Sequence, residues 1–404
     1  MASLSAFRAL RPVPAAAARV AAVPYDVVST SEARAIAAGE PLSFLHVSRP
    51  EIDLPDDTDA HSGAVYARAA ANLESLERAA PLVVEESASL YLYRLRMGSH
   101  EQTGIAGCFS VDDYRRDVIR KHERTRPVKE DDRTRHILAV GAQTGPVFLI
   151  YRVPDAIRSV TAGARSRQPL FDFEASDRVQ HTVWRLNAAE TTTLIGEFAA
   201  IPAMYIADGH HRAAAAARAE AALRPANGPG PWSAFLAVAF PHDEVQVLAY
   251  NRVVRDLRGL TPKQLLAELA QRVELHEGPA VPARQGDVAM YLDGRWYTLG
   301  LGTAPAELPP DARLDVSRLQ TAVLGPLLGI GDVTTDPRID FVGGLRGTAA
   351  LEDLVRSGQA AAAFSMHPVS VDDIMQISDA GGIMPPKSSW FEPKLRDGLL
   401  VHKI

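Results

Sequence analysis

The segment that most constrains this chain is Met204-Tyr205-Ile206-Ala207, followed by Asp208-Gly209-His210-His211-Arg212 and an alanine-rich run. The first four residues read as a short buried strand. Arg212 to Leu223 (RAAAAARAEAAL) reads as a helix, because alanine loses no side-chain entropy on entering one. A sharp polar turn must join them, and Gly209 supplies a residue free to take positive φ. Exposed N–H groups and the positive end of the helix dipole make such a turn suitable for a phosphate. Asp208, His210, His211 and Arg212 on a strand–turn–helix therefore predict a site of phosphoryl chemistry.

A second polar constellation lies upstream, Lys121-His122-Glu123-Arg124-Thr125-Arg126-Pro127-Val128-Lys129-Glu130-Asp131. It offers Glu123 or His122 as a general base, Lys121, Arg124 and Lys129 as phosphate ligands, and Glu130 and Asp131 as carboxylates able to hold Mg²⁺. A solvated helix face laced with ion pairs would show the same composition. Lysine usage supports the first reading. Only six of the 43 basic residues are lysine, and four of them, Lys121, Lys129, Lys387 and Lys394, fall in two short polar segments. Ammonium groups are common phosphate binders. The second of these segments, Pro385 to Lys394, follows Gly381-Gly382 and carries Trp390 and Phe391. It fits either a loop closing over an anion or a docked C-terminal tail.

Several other chemistries are excluded. There is no Gly-Lys dipeptide and hence no P-loop, no His-Glu-x-x-His, and no Gly-x-Ser-x-Gly nucleophile elbow. Adjacent His210 and His211 project in different directions and make a poor zinc pair. One cysteine, Cys108, rules out an internal disulfide framework and fits a reducing cytoplasm. A net charge of −6 argues against general nucleic-acid binding, though not against a small anion in a local basic pocket. No apolar run approaches the roughly 18 residues of a membrane span.

The pattern predicts an α+β protein with a mixed sheet in three parts: an N-terminal α/β region (1–88), a central core (89–258) and a C-terminal α+β region (259–404). Ser89 to Met97 and Ile105 to Asp112 read as a hairpin, Val147 to Val153 and Val20 to Val28 as strands, and Glu190 to Ala200 as a helix. Val288 to Leu301 reads as a hairpin turning at Asp293-Gly294, Asp315 to Leu328 as a helix, and the chain closes in a polar tail. Met1 to Val23, with no acidic residue and much Ala and Arg, mimics a transit peptide.

These motifs together resemble the DUF1015 family of bacterial and archaeal proteins. The resemblance is carried by Phe7-Arg8-Ala9-Leu10-Arg11-Pro12, Pro24-Tyr25-Asp26-Val27-Val28, Ser43-Phe44-Leu45-His46-Val47, Lys121-His122-Glu123-Arg124-Thr125, the 206–212 turn, and Met384-Pro385-Pro386-Lys387-Ser388 through Phe391-Glu392-Pro393-Lys394. Its first match places residues 7–28 in the fold, against a transit peptide. The turn is similar to that of free-serine kinases of the ParB/sulfiredoxin-like superfamily, which implies a ParB/sulfiredoxin-like core. The resemblance also implies phosphoryl transfer between serine or phosphoserine and a nucleotide, ADP or ATP, in either direction. It casts Glu123 as base and Asp208 as second carboxylate, a candidate Mg²⁺ ligand. His210, His211 and Arg212 would grip phosphate, with Lys121, His122, Arg124, Gly209, Lys387 and Lys394 binding phosphate or substrate. Two alternatives stand beside it: a ParB-like nucleotide-binding regulator and a nucleotide-independent phosphoserine phosphatase. The expected partners are small molecules, with neither nucleic acid nor membrane.

Overall fold

The computed structural model describes residues 1–79 and 82–404 and is α+β, with a large mixed sheet. The described chain divides into two compact units, Met1–Val245 with Pro393–Ile404, and Gln246–Glu392.

The first unit is built on a nine-stranded sheet. In spatial order its strands are Ile119–Arg120, Met204–Asp208, Val147–Tyr151, Ala234–Pro241, His100–Ser110, Tyr91–Met97, Val179–Arg185 and Phe171–Glu174, and Leu4–Ser5 pairs with His100–Ser110. Tyr91–Met97 and His100–Ser110 form the predicted hairpin, with Gly98 in positive φ at its turn. Val147–Tyr151 is buried at all five positions, as a strand covered on both faces must be. Helix Ala188–Phe198 starts on a capping box between Asn187 and Glu190. It packs Phe198 against Phe109 and Tyr151 in a core that also holds Trp184 and Phe235. Each such large apolar side chain contributes about 1.5–3 kcal/mol by leaving water.

Two helices flank the site. Pro127–Val140 begins with proline at its first turn, where the missing N–H costs nothing, and ends on Gly141 in the left-handed region. His210–Asn227 packs along it. Ala213, Ala214, Ala215, Ala216 and Ala219 are all buried, so the alanine run serves close packing as well as helix propensity. Arg218 joins the two helices through Glu130 and Asp131.

Three expectations are corrected. Val20 to Val28 is no strand. Val20 ends the short helix Ala17–Val20, and Ala22 makes a single bridge to Asp397. The supposed polar tail is mostly interior, with Leu395, Arg396, Asp397, Leu399, Leu400 and Val401 buried. It crosses the first unit, bridging Leu10 through Val401 and pairing His402–Lys403 with Ala142–Gln143. Asp315 to Leu328 is not one helix, because Asp315–Leu319 gives way to the wider π-turn Gln320–Leu324.

The units break at 245/246 and 392/393, whereas the sequence reading places boundaries at 88/89 and 258/259. The reason lies in strand pairing. Leu4–Ser5 enters the large sheet, so the N-terminal residues share its core. Tyr250–Val254 pairs with Ile339–Gly343 and Ala362–Met366 in the second unit's six-stranded sheet. That sheet contains the Asp287–Leu292 and Arg295–Gly300 hairpin. Among the described residues no helix is long and apolar enough to cross a membrane.

Candidate functional site

Parallel pairing of Met204 with Ile119 and Tyr205 with Arg120 ends two strands side by side at the same edge of the sheet. The chain leaving Ile119–Arg120 carries His122 and Glu123, and the chain leaving Met204–Asp208 carries the Asp-Gly-His-His-Arg turn. Segments distant in sequence thus meet, as the separations between their side chains show. The His122 and His210 rings are 4.5 Å apart edge to face. The His122 N–H donates to His210 Nε2 at 3.4 Å. With Nε2 accepting, the His210 proton belongs on Nδ1, which faces Glu123 Oε2 at 3.6 Å. His211 Nε2 accepts from the Arg126 N–H at 3.0 Å, fixing its ring to the start of helix Pro127–Val140.

Gly209 makes this turn possible. Its φ of +92° is costly for any residue with a Cβ, and that Cβ would stand 3.0 Å from Arg212 Nε. The following helix has no side-chain cap and no acidic residue in its first turn. The usual partners of its first N–H groups are therefore missing, and the positive end of its dipole is uncompensated within that turn.

Asp208 is the electrostatic hub. Its Oδ2 accepts from Lys394 Nζ at 3.2 Å and from Arg212 Nη2 at 3.3 Å, and its Oδ1 accepts from the Gly209 N–H at 2.9 Å. Burial alone would raise its pKa, but Lys394 and Arg212 outweigh that and hold it well below the usual carboxylate range. The buried Arg212 also donates to the Pro146 carbonyl, while its Nε has no partner. Burial would lower the Arg212 pKa, yet Asp208, Asp26 and Asp397 raise it. Both buried imidazoles are neutral at pH 7. Burial pushes His122 down to about 4 against the pull of Asp208, and burial with His122 holds His210 well below its ordinary value. His122 Nδ1 is buried without a hydrogen-bond partner. Burial, then Lys129, also lowers His211.

The structure thus brings together His122, Glu123, Asp208, Gly209, His210, His211, Arg212 and Lys394. Other candidates lie elsewhere. Lys121 turns to the Tyr114 carbonyl and ring and to Asp117. Arg124 and Lys129 are exposed, and Glu130 and Asp131 are engaged by Arg218. Lys387 belongs to the second unit, where its ammonium lies over the Tyr250 ring at 5.5 Å. Of the residues expected to grip phosphate, His210 is held well below its ordinary pKa by burial and His122, and two of the Arg212 nitrogens are already engaged. Asp208 does not fit a Mg²⁺ ligand, because an ammonium, a guanidinium and an amide N–H occupy its oxygens. Among the described residues no three His, Cys, Asp or Glu side chains gather to hold a metal.

Sequence reasoning missed Asp397, hidden in what reads as a tail, and gave no role to Tyr25, Ser48 or Arg133. These residues line a cavity that Arg212 also walls. A signal for Tyr25 exists in Pro24-Tyr25-Asp26-Val27-Val28, but by itself that segment marks only the family.

A family model described as "Protein of unknown function (DUF1015)" matches residues 4–317. The chain belongs to the DUF1015 family. No curated protein matches it. Among solved structures it is similar to a free serine kinase in complex with AMP, at 13% identity and a TM-score of 0.34, covering 71% of this chain and 90% of that one. A conserved hypothetical protein from Pyrococcus furiosus is 13% identical at a TM-score of 0.34, covering 72% and 93%. SbnI with a C-terminal truncation, from Staphylococcus aureus, is 12% identical at 0.38, covering 71% and 82%.

Proposed function

We propose that this DUF1015 protein transfers a phosphoryl group between a nucleotide and the hydroxyl of a small substrate, with serine and phosphoserine as the substrate pair. One observation carries the reading. An uncapped helix N-terminus adjoins an exposed carboxylate, Glu123, that is oriented by a buried neutral histidine.

The first N–H groups of helix His210–Asn227 hold phosphate oxygens, and the Lys394 ammonium adds positive charge beside them. Asp208 keeps Lys394 and Arg212 in place. Glu123 takes the proton of the substrate hydroxyl as phosphate is added, or returns it to the leaving oxygen in the reverse direction. Phosphoryl transfer asks for little beyond positioning and charge neutralisation, so such a turn suffices in kind. The nucleotide, ADP or ATP, follows from the resemblance of the turn to that of free-serine kinases. The same proposal includes a ParB/sulfiredoxin-like core and a cytoplasmic setting.

The test is to incubate the protein with phosphoserine, with and without ADP, and to quantify serine and ATP. Serine and ATP formed only with ADP is the expected result. Serine released without ADP would make the protein a phosphatase. No turnover in either direction, with nucleotide tightly bound, would overturn the enzymatic reading in favour of a nucleotide-binding regulator.

A further inference from the structure

Arg212 lines a cavity of about 40 Å³ whose walls also carry Tyr25, Ser48, Arg133 and Asp397. Most other polar groups there are engaged. Gln143 donates to the Ala234 carbonyl and accepts from the Leu236 N–H, and His136 bonds the Val47 carbonyl. Arg133 is paired with Asp132 at 2.7 Å, and Arg212 with Asp208.

Asp397 is different. It is 2% exposed, and its main chain is fixed by reciprocal bonds with Ala22 at 2.9 and 3.1 Å. Among the described residues no hydrogen bond or ion pair ends on its carboxylate. The carboxylate fits only because Gly145 has no Cβ, which would stand 2.5 Å from Oδ1. Beside it, the Ser48 hydroxyl is buried with no hydrogen-bond partner. The Asp397 carboxylate and the Ser48 hydroxyl therefore face one cavity without hydrogen-bond partners, beside the Arg212 Nε, which also lacks one. Buried polar groups without partners cost about 1–3 kcal/mol each, and more when charged. A native chain that keeps two such groups in one cavity invites a ligand that satisfies both.

We propose that Asp397 and Ser48 receive the ammonium group of a free α-amino acid, making this cavity the amine subsite of the phosphoryl-transfer site. The inference rests on the function proposed above and names its substrate class. At about 40 Å³ the cavity exceeds the roughly 10–15 Å³ that one water needs, so it has room for an ammonium head. With phosphate at the 208–212 turn by the function proposed above, the ammonium falls to Asp397, and Arg212 adjoins both places. Burial raises the Asp397 pKa to about 7, with Arg212 opposing and Asp26 adding, so an entering cation also relieves an unfavourable charge. A substrate with hydroxyl in place of ammonium leaves that charge unmatched, and sites built around a polar group reject analogues that lack it.

The experiment measures calorimetric binding of phosphoserine and of 3-phosphoglycerate, which carries a hydroxyl in place of the ammonium. The full-length parent, Asp397→Asn and Ser48→Ala are compared, with turnover of phosphoserine assayed in parallel. The parent should prefer phosphoserine by about 10- to 150-fold, the effect of one charge-assisted hydrogen bond. Asp397→Asn should remove most of that preference by weakening phosphoserine alone. Ser48→Ala should weaken phosphoserine about 3- to 10-fold, as for one neutral hydrogen bond, and it keeps the test open should Asp397→Asn fail to fold. A parent that turns over phosphoserine yet shows no preference, or a preference that survives in both variants, overturns the amine subsite and leaves phosphoryl transfer standing. A parent that neither binds nor turns over phosphoserine overturns both.

Discussion

Asp208→Asn should destabilise the first unit by about 3–5 kcal/mol, the usual result of removing one partner from a buried ion pair. The substitution keeps the size of the side chain and an acceptor for the Gly209 N–H, but deletes the charge that Lys394 and Arg212 share. At 3.2 and 3.3 Å each contact is worth about 5 kcal/mol gross at an effective dielectric of about 20. Desolvation of the part-buried carboxylate cancels much of that sum. What remains is the cost of two cations facing a neutral amide, with Arg212 only 9% exposed. In differential scanning calorimetry the corresponding transition should fall by roughly 10 °C, at about 2–4 °C per kcal/mol for a unit of this size. Adding Lys394→Met should recover part of the loss, because the second uncompensated charge is then gone.

The pH dependence supplies a sign. The folded pKa of Asp208 is depressed, so its stabilisation is complete above the unfolded value of about 3.9 and is lost only as pH falls towards the folded one. The gap between parent and variant should be constant from about pH 7 to 5 and shrink below about pH 4. A transition within about 1 °C of the parent at pH 7 would refute the assignment of Asp208 as the counter-ion, given the slope above.

Two further outcomes follow from the same geometry. Glu123→Gln should lower phosphoserine turnover by about 10²- to 10⁴-fold, the usual contribution of a general acid or base, with phosphoserine binding by calorimetry nearly unchanged. Turnover equal to that of the parent would remove Glu123 from the chemistry. His136 is buried on the Val47 carbonyl, and burial, then Arg133, pushes its pKa down to about 4. From about pH 6.5 down to 4 the unfolded chain takes up a proton that the folded one refuses, costing about 1.4 kcal/mol per pH unit. Urea midpoints between about pH 6 and 4.5 should therefore fall less steeply for His136→Gln than for the parent, and parallel slopes would contradict the burial argument.

Much of the local structure is legible in the residues themselves. The 206–212 turn is announced by a short apolar run, one glycine and an alanine helix, all of which act within a few residues. The hairpins at 91–110 and 287–300 show period-two or apolar strands around glycine turns. Lys394 is singled out by the rarity of lysine. Lys121 and Lys387 carry the same signal and belong to other environments, because composition marks a residue type and not where its side chain goes. The tail shows the opposite failure. Arg396 and Asp397 read as solvated, yet Arg396 bonds the buried His181 and Asp397 faces a cavity. Local polarity cannot reveal a partner brought in from another part of the chain.

The sequence by itself determined that a strand, a glycine turn and a helix would present Asp208 to Arg212 together, since backbone preference and propensity are local. It also determined the family, because the spaced motifs survive without reference to shape. Only the tertiary structure decided which other groups meet that turn. Parallel pairing of Ile119–Arg120 with Met204–Asp208 delivered His122 and Glu123, and the returning 393–404 strap delivered Lys394 and Asp397. Burial then made His122 and His210 neutral, while Lys394 and Arg212 kept Asp208 charged. Charge state depends on desolvation and on neighbours distant in sequence, and both exist only once the chain has folded.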